Sequence, residues 1–391
     1  MNSLLNALAA NWEPIQSWRH HLHRHPEIAF AEAGTADYIA GLLRDWGYDV
    51  HTGIGKTGLV ASLTVGDGEK SIGLRADIDA LAVPEMAESG HKSVEPGKSH
   101  TCGHDGHCAM LLGAACHLAR TRAFSGTVRL IFQPAEEVMG GAMAMIEDGL
   151  FERFPIDAIF GMHNMPGLEL GKIYFTAGPV MAAVDKWEIV LTGKGCHGSM
   201  PEKGVDPVVA GASLVMALQT IVSRNVAAKE AAVITVGAFQ AGEVGNVIPQ
   251  TATLRVSTRT CTPETRELVL ERIRAITAAQ ALSYDVTFEI REGPPGAVLV
   301  NDPELTADCA AIARQLLGED KVITDGPTFM GSEDFAYDAQ RKPVAYCFIG
   351  NGDTPMLHHP MYDFNDRNLP IGAAYWVALV EHWLKQDGRA D

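Results

Sequence analysis

The chain has no surplus of basic residues: 31 Lys and Arg stand against 48 Asp and Glu, a formal net charge of −17. A polyanion or an anionic bilayer would on average be repelled, which argues against nucleic-acid and membrane partners. No CxxC pair occurs among the seven cysteines, Cys102, Cys108, Cys116, Cys196, Cys261, Cys309 and Cys347. Their odd number and scatter exclude a disulfide framework and a zinc ribbon, and point to a reducing, cytoplasmic setting. The opening MNSLLNALAANWEPIQSWRHHLHRHPE lacks the basic start and apolar stretch of a secretory signal. No apolar run is expected to reach the length of a membrane span. Glycine is plentiful, 39 of 391 residues, but has no Gly-x-y period; a collagen-like fibre is excluded and many tight turns are expected. What remains is 47% hydrophobic and 20% charged, an ordinary globular composition in a chain long enough for two domains.

Helical apolar patterns run from about Leu4 to Arg24, from Thr35 to Trp46, through CAMLLGAACHLAR and through AMAMIEDGLF. Between them lie the buried-strand runs GLVASLTV, SIGLRAD, TVRLIFQ and PIDAIFGMH, the first two separated by GDGEK, whose Asp67-Gly68 step favours a tight turn. Alternation of such strands with helices predicts an α/β fold with a mostly parallel sheet covered on both faces. From about Val184 the pattern changes. VDKWEIVLTG, a helix through DPVVAGASLVMALQTIV, AAVITVGAFQ, PQTATLRVSTRT, a helix opened by Thr262 and Pro263, and SYDVTFEIREG give the order β-α-β-β-α-β of a ferredoxin-like α+β sandwich. The α/β pattern then resumes with helices near Glu304 to Leu317 and Ile371 to Lys385 around the strand PVAYCFIG. Residues 1–182 and 295–391 are therefore expected to form one discontinuous catalytic domain, with 183–294 inserted into it.

Five segments carry chemistry. SHTCGHDGHCAM sets Cys102, His104, Asp105 and His107 between a turn and an apolar helix. Thiolate and imidazole are suitable metal ligands, and Cys102 and His104, two apart, converge if the stretch is extended. LIFQPAEEVMGGA runs a buried strand into Glu136 and Glu137, and ligands in α/β sheets bind beyond the carboxyl ends of strands. One acid there suits a metal and the other a base, unless both only favour the dipole of a following helix. His163 ends a third apolar run in IFGMHNMPG, and His358 and His359 lie in MLHHPMYDFND. Asp77 and Asp79, just after SIGLRA and within LRADIDALAVPE, are placed to orient a ligand from behind. Cys102, His104, Glu137, His163 and His358 are too many donors for one zinc site with an open position. They fit two divalent ions per subunit that share a bridging water or thiolate. Such a pair lowers the pKa of water, polarises a carbonyl and stabilises the developing oxyanion. Glu136 would take the proton from the water and return it to a leaving nitrogen, the chemistry of amide hydrolysis. Thiolate and imidazole suit zinc, cobalt or nickel, and carboxylates also admit manganese.

The stretches RHHLHRHPEIAFAE, GLRADIDALAVPE, TCGHDGHCAMLLGAA, VRLIFQPAEE, GMHNMPG, GKGCHGSMPEKGVDP, GNVIPQTATLRVSTRT, FMGSEDFAY and LHHPMYDFND occur in this order along nearly the whole chain. Together they resemble the M20 metallopeptidase family, in its amidohydrolase subgroup of hippurate hydrolases, N-acyl-amino-acid amidohydrolases and indole-acetyl-amino-acid hydrolases. The resemblance implies that Cys102 is a bridging ligand where other branches carry an aspartate. It implies that His104, Glu137, His163 and His358 are the remaining ligands, that Glu136 is the catalytic glutamate, and that Asp77 supports the metal site. His107 and Asp105 are then local support. Manganese or zinc are the ions first expected. The inserted domain is implied to be a lid that also joins subunits into a homodimer or homotetramer. His197 in GKGCHGS matches a histidine that bonds the oxyanion or the substrate carboxylate, and Asn246 and Arg259 match polar residues of the same lid. The plain alternatives are that Asn246 only fixes the turn before Ile248-Pro249 and that Arg259 is a solvated strand residue.

The resemblance implies hydrolysis of a small-molecule N-acyl amino acid, hippurate-like or N-acetylated, to a carboxylate and a free amino acid. A dipeptidase or a deacylase of diaminopimelate-type substrates is the nearest alternative. A non-catalytic binding protein on the same scaffold and a thiol mechanism through Cys102 are the others. Departures from the family pattern are Gly55-Lys56-Thr57-Gly58 in an early loop, Ala82-Val83-Pro84-Glu85, Cys196 before His197, and Glu202 after Pro201. The Lys56 departure adds a positive charge near the expected pocket rim. His20, His21, His23 and His25 resemble a metal tract by composition, but are expected to pack and hydrogen-bond locally.

Overall fold

The computed structural model describes residues 3–10 and 12–385. The chain divides into two compact units, one of Met1–Gly178, Val300–Pro327 and Asp334–Asp391, the other of Pro179–Leu299 and Thr328–Glu333.

The first unit is built on an eight-stranded sheet. Its order is Asp49–Ile54, Gly58–Val65, Gly126–Gln133, Ser71–Asp77, Ala158–Pro166, Val344–Gly352, Ile173–Phe175, Val322–Ile323. The four central strands run parallel, and antiparallel pairings begin toward each edge. Every residue of Ser71–Asp77 and of Ala158–Pro166 is buried, as a strand covered on both faces requires. The helices His104–Thr121 and Leu369–Trp383 cross closely because glycines face the contact. A Cβ on Gly372 would lie 2.1 Å from Met110 Sδ, and one on Gly113 would lie 3.0 Å from the Ala373 Cβ.

Three sequence expectations change here. Gly66, with φ 67°, does turn the chain after GLVASLTV, yet that strand and SIGLRAD are not neighbours. Gly126–Gln133 lies between them, antiparallel to the first and parallel to the second. The AMAMIEDGLF run breaks into Gly141–Glu147 and Leu150–Arg153 at left-handed Gly149. The first helical run is two helices, Ser3–Ala10 and Trp12–Arg24, and Asn11 lies outside the described residues.

The second unit has a four-stranded antiparallel sheet in the order Ala232–Ala241, Thr251–Thr260, Ala183–Thr192, Thr287–Glu292. Its helices Pro207–Thr220 and Pro263–Ser283 share a core with Trp187, Ile189, Leu191, Leu254 and Val256. Thr262 caps the second helix by accepting from Thr265 N–H, and Pro263 stands in its first turn, as the sequence predicts. Pro207–Asn225 is long and apolar enough to cross a membrane by length and composition, which corrects the expectation that no run reaches that length. No charge interrupts PVVAGASLVMALQTIVS. Here Ala210, Leu214, Leu218 and Ile221 enter the core, while Val208, Val209 and Met216 remain exposed.

The local packing expected of the histidine tract holds for His21 and His25, whereas His20 and His23 bond residues remote in sequence, and the ligand atoms of His23, His91 and Asp363 lie within 4.8 Å of one another. His21 stacks on Tyr38, and His20 reaches Asp366 at 2.8 Å. Arg19 is buried and bonds Asp105 at 2.7 Å and Asp366 at 3.1 Å, joining Trp12–Arg24 to the first turn of His104–Thr121. His23 sits between Asp105 at 2.8 Å and Glu85 at 3.2 Å. Burial alone would lower its pKa, but the Asp105 carboxylate wins and raises it to about 9. A raised folded-state pKa stabilises fully below the unfolded value near 6.5, and that contribution is lost as pH rises through about 9. His23→Gln should therefore lower the thermal midpoint most at pH 6, with the gap from wild type narrowing toward pH 10. Thr262→Ala should cost the second unit about 1 kcal/mol in denaturant unfolding, the usual loss of an N-cap.

Candidate metal centre

Parallel strands that stop in register bring their polar ends together. Asp77 and Gln133 are direct partners at the ends of their strands, and His163 lies near the same end of the next one. Arg75, two residues before Asp77, donates to Asp77 Oδ2 at 2.8 Å and to Gln133 Oε1 at 2.8 Å.

Cys102 and His104 converge by a different route from the extended stretch expected. Gly103 is left-handed at φ 93°, and a Cβ there would lie 2.3 Å from Asn164 Oδ1, so only glycine fits. This turn leaves Cys102 before the helix and His104 as its first residue. His104 Nδ1 donates to the Asp79 carbonyl at 2.8 Å, which frees Nε2 for another partner. His163 Nδ1 likewise donates to the Asn164 carbonyl at 2.6 Å, and its Nε2 lies 3.5 Å from Cys102 Sγ. In both, one ring nitrogen fixes the tautomer and the other is presented as a ligand atom.

Glu136 and Glu137 stand on one short turn between left-handed Ala135 (φ 53°) and Met139 (φ 58°). Glu137 N–H donates to Asp79 Oδ2 at 3.0 Å. Its Oε1 is 3.3 Å from His358 Nε2 and 3.9 Å from His104 Nε2. His358 is left-handed at φ 67°, and its N–H donates to the Thr101 carbonyl at 2.7 Å, beside Cys102.

Two donor triads result. The ligand atoms of Cys102, His104 and His163 lie within 4.8 Å of one another, and so do those of Cys102, Glu137 and His358. Cys102 belongs to both. His104, Glu136 and Glu137 form a further such group, which places Glu136 beside the donors. Asp77 Oδ1 accepts from His107 Nδ1 at 2.6 Å, His107 Nε2 lies 2.7 Å from Asn164 Oδ1, and the ligand atoms of Asp77, His104 and His107 form another group within 4.8 Å. Both nitrogens of His107 are thus engaged within the protein. Asp105, bonded to Arg19 and His23, is support for the helix start.

The electrostatics call for cations. Burial would depress the His104 imidazole, yet Asp77, Asp79 and Glu137 raise its pKa to about 10. Burial, with Glu137, Glu136 and Asp77 nearby, pushes the Cys102 thiol far up. Burial and His107 hold His163 well below its usual range, so it is a neutral imidazole ready to ligate. His104 Nε2 is buried without a hydrogen-bond partner among the described residues. A thiolate, a carboxylate and three imidazoles together fit a pair of divalent ions.

His197, Asn246 and Arg259 all lie in the second unit. His197 is exposed in the short strand Cys196–His197, paired with Val247–Ile248, and its Nδ1 accepts from Ser199 N–H at 3.1 Å. The Asn246 carbonyl accepts from Gly198 N–H at 2.8 Å and closes the turn before Val247. Arg259 is half-buried, and its Nη1 donates to Ser332 Oγ at 2.8 Å and to the Met330 carbonyl at 3.2 Å. Sequence reasoning missed Glu32, Arg75, Asn164 and Asp334, each of which makes at least one contact remote in sequence. Asp334 accepts from Gln133 Nε2 at 2.6 Å and from Ala142 N–H at 3.0 Å. The FMGSEDFAY stretch was the one available signal for Asp334.

Comparison with known proteins agrees with this centre. Residues 73–382 match the family described as peptidase family M20/M25/M40. A hippurate hydrolase of Campylobacter jejuni is 43% identical over 367 residues, 94% of this chain and 96% of that protein. An N-acetyl-L-cysteine deacetylase of Bacillus subtilis is 37% identical over 365 residues, 92% of this chain and 85% of its own length. The crystal structure of a dinuclear metal-binding M20 peptidase from Bacillus subtilis superposes with a TM-score of 0.84 at 32% identity, covering 96% of this chain and 99% of that one. The chain therefore belongs to peptidase family M20/M25/M40, and is a metal-dependent hydrolase of its amidohydrolase subgroup.

Proposed function

We propose that the substrate is a hippurate-like or N-acetylated amino acid, hydrolysed to a carboxylic acid and a free amino acid. The observation that carries this reading is the pair of donor triads sharing Cys102, with Glu136 beside them. The relatives named for hippurate and for N-acetyl-L-cysteine support the substrate class.

Cys102 would lie between two ions, with His104 and His163 completing one site and Glu137 and His358 the other. Ions held there lower the pKa of water and polarise the amide carbonyl, and manganese or zinc suit this mixed donor set, with cobalt or nickel admitted. Glu136 takes a proton from the attacking water on its carboxylate and delivers it to the leaving nitrogen. Asp77 fixes His107 and, with Arg75, the charge behind the donors. His197 donates to the oxyanion or the substrate carboxylate, and Asn246 and Arg259 belong to the same lid. The second unit also serves assembly into a homodimer or homotetramer, supported by the exposed Val208, Val209 and Met216 on one apolar helix. Seven free thiols favour a cytoplasmic setting.

Glu136→Gln should lower kcat on N-benzoyl- and N-acetyl-amino acids by about 10²–10⁴-fold while metal analysis still finds two ions per subunit. Full turnover in that variant removes Glu136 from its role. Exhaustive chelation should abolish activity, and added manganese or zinc should restore it. Activity that survives complete metal removal would instead favour a thiol mechanism through Cys102.

A further inference from the structure

Glu32 belongs to neither donor triad, yet it grips the turn that carries Glu136. It precedes the helix Ala33–Asp45, where a carboxylate ordinarily caps its own helix by accepting from the first-turn N–H groups. Glu32 makes no such bond. Glu27 does that work instead, accepting from Gly34 N–H at 3.2 Å and Thr35 N–H at 2.7 Å. The Glu32 side chain is turned away and fully buried. Its Oε1 accepts from Ala135 N–H at 2.9 Å, and its Oε2 accepts from Thr57 Oγ1 at 2.5 Å.

Ala135 immediately precedes Glu136 and holds a left-handed φ of 53° without being glycine. Its carbonyl accepts from Gly140 N–H at 3.3 Å and Gly141 N–H at 3.2 Å, so the loop closes around it. A Cβ on Gly141 would lie 1.5 Å from the Pro134 carbonyl oxygen, a measure of how tightly the loop is drawn. A buried carboxylate is costly unless its acceptors are used. Spending one on the amide of a strained residue, while a second glutamate caps the nearby helix, makes sense if the direction of residue 136 matters.

We propose that Glu32 is a positioning residue for Glu136: its bond to Ala135 N–H holds the left-handed step that aims the Glu136 carboxylate, and Thr57 holds Glu32. The inference rests on the reading of Glu136 as the base, but its structural half is testable without it. In Glu32→Ala, amide hydrogen exchange across residues 135–141 should quicken about tenfold or more. The kcat should fall about 10- to 100-fold, the scale of a small misplacement of a catalytic group, with KM within about threefold and two ions per subunit retained. In Glu32→Gln the carboxamide oxygen still accepts from Ala135 N–H and the Thr57 hydroxyl turns to accept from the amide, so exchange and kcat should return close to wild type. Thr57→Val should show an intermediate loss, and serves if Glu32→Ala does not fold. Unchanged exchange in Glu32→Ala, wild-type kcat despite faster exchange, or loss of metal together with activity would each overturn the proposal. If the wild type hydrolyses no N-acyl amino acid, the reading of Glu136 fails, while the exchange measurement still decides whether Glu32 holds the loop.

Discussion

The first unit is organised around buried negative charge. Asp77, Asp79, Glu136 and Glu137 converge beyond the carboxyl ends of the central parallel strands, where only partial compensation is at hand. Arg75 supplies one fixed cation, divided between Asp77 at 2.8 Å and Asp334 at 3.2 Å. Glu137 Oε1 approaches the imidazoles of His104 and His358. Anions removed from water must be paired, protonated or metallated. The fold meets this demand by aiming imidazole nitrogens and one thiol at the same space, which is why a charge problem and a metal centre coincide.

Much of the centre was legible because metal chemistry uses few residue types and α/β sheets place them predictably. Runs of buried residues ending in Asp77, in Gln133 just before Glu136, and in His163 could be read as strands whose ends share one edge. The partnership of Cys102 and His104 was legible from spacing, but its cause was not: left-handed Gly103 brings them together instead of an extended backbone. Glu32 and Asp334 fall inside the matched stretches RHHLHRHPEIAFAE and FMGSEDFAY, but their roles there were not legible. Among their partners are backbone N–H groups 103 and 192 residues away, and a backbone amide leaves no mark in a sequence. The short strands Asp49–Ile54, Ile173–Phe175 and Val322–Ile323 escaped because a few residues at a sheet edge carry too little periodicity. Likewise GDGEK was read correctly as a turn, but nothing local could say that Gly126–Gln133 would come between the strands it joins.

Backbone strain follows the same map. Among the described residues, seven non-glycine residues have positive φ, and five of them, Phe30, Lys56, Ala135, Met139 and His358, lie in the donor-bearing loops or the segments tied to them. Such conformations cost roughly 1–3 kcal/mol each and persist where surrounding contacts over-determine them. Ala135 is held by Glu32, His358 by the Thr101 carbonyl, and Lys56 sets its ammonium 3.9 Å from the Phe30 ring centre. Lys56 is thus stacked on an aromatic ring, next to the Thr57 that fastens Glu32.

The choice of cysteine as the shared donor links charge to proton balance. Without an ion, burial together with the surrounding carboxylates keeps the Cys102 thiol protonated, and the carboxylates keep a proton on His104, whose pKa rises to about 10. A proton on His104 occupies the nitrogen that would ligate, and a protonated thiol is a poor bridge. Binding two ions is therefore an exchange of metal charge for protons at the same atoms, favoured as pH rises. The carboxylates that make protonation so favourable also draw in the cations that displace it. His163 needs no such exchange: burial and His107 already hold its pKa low, so its imidazole is neutral before any ion is bound.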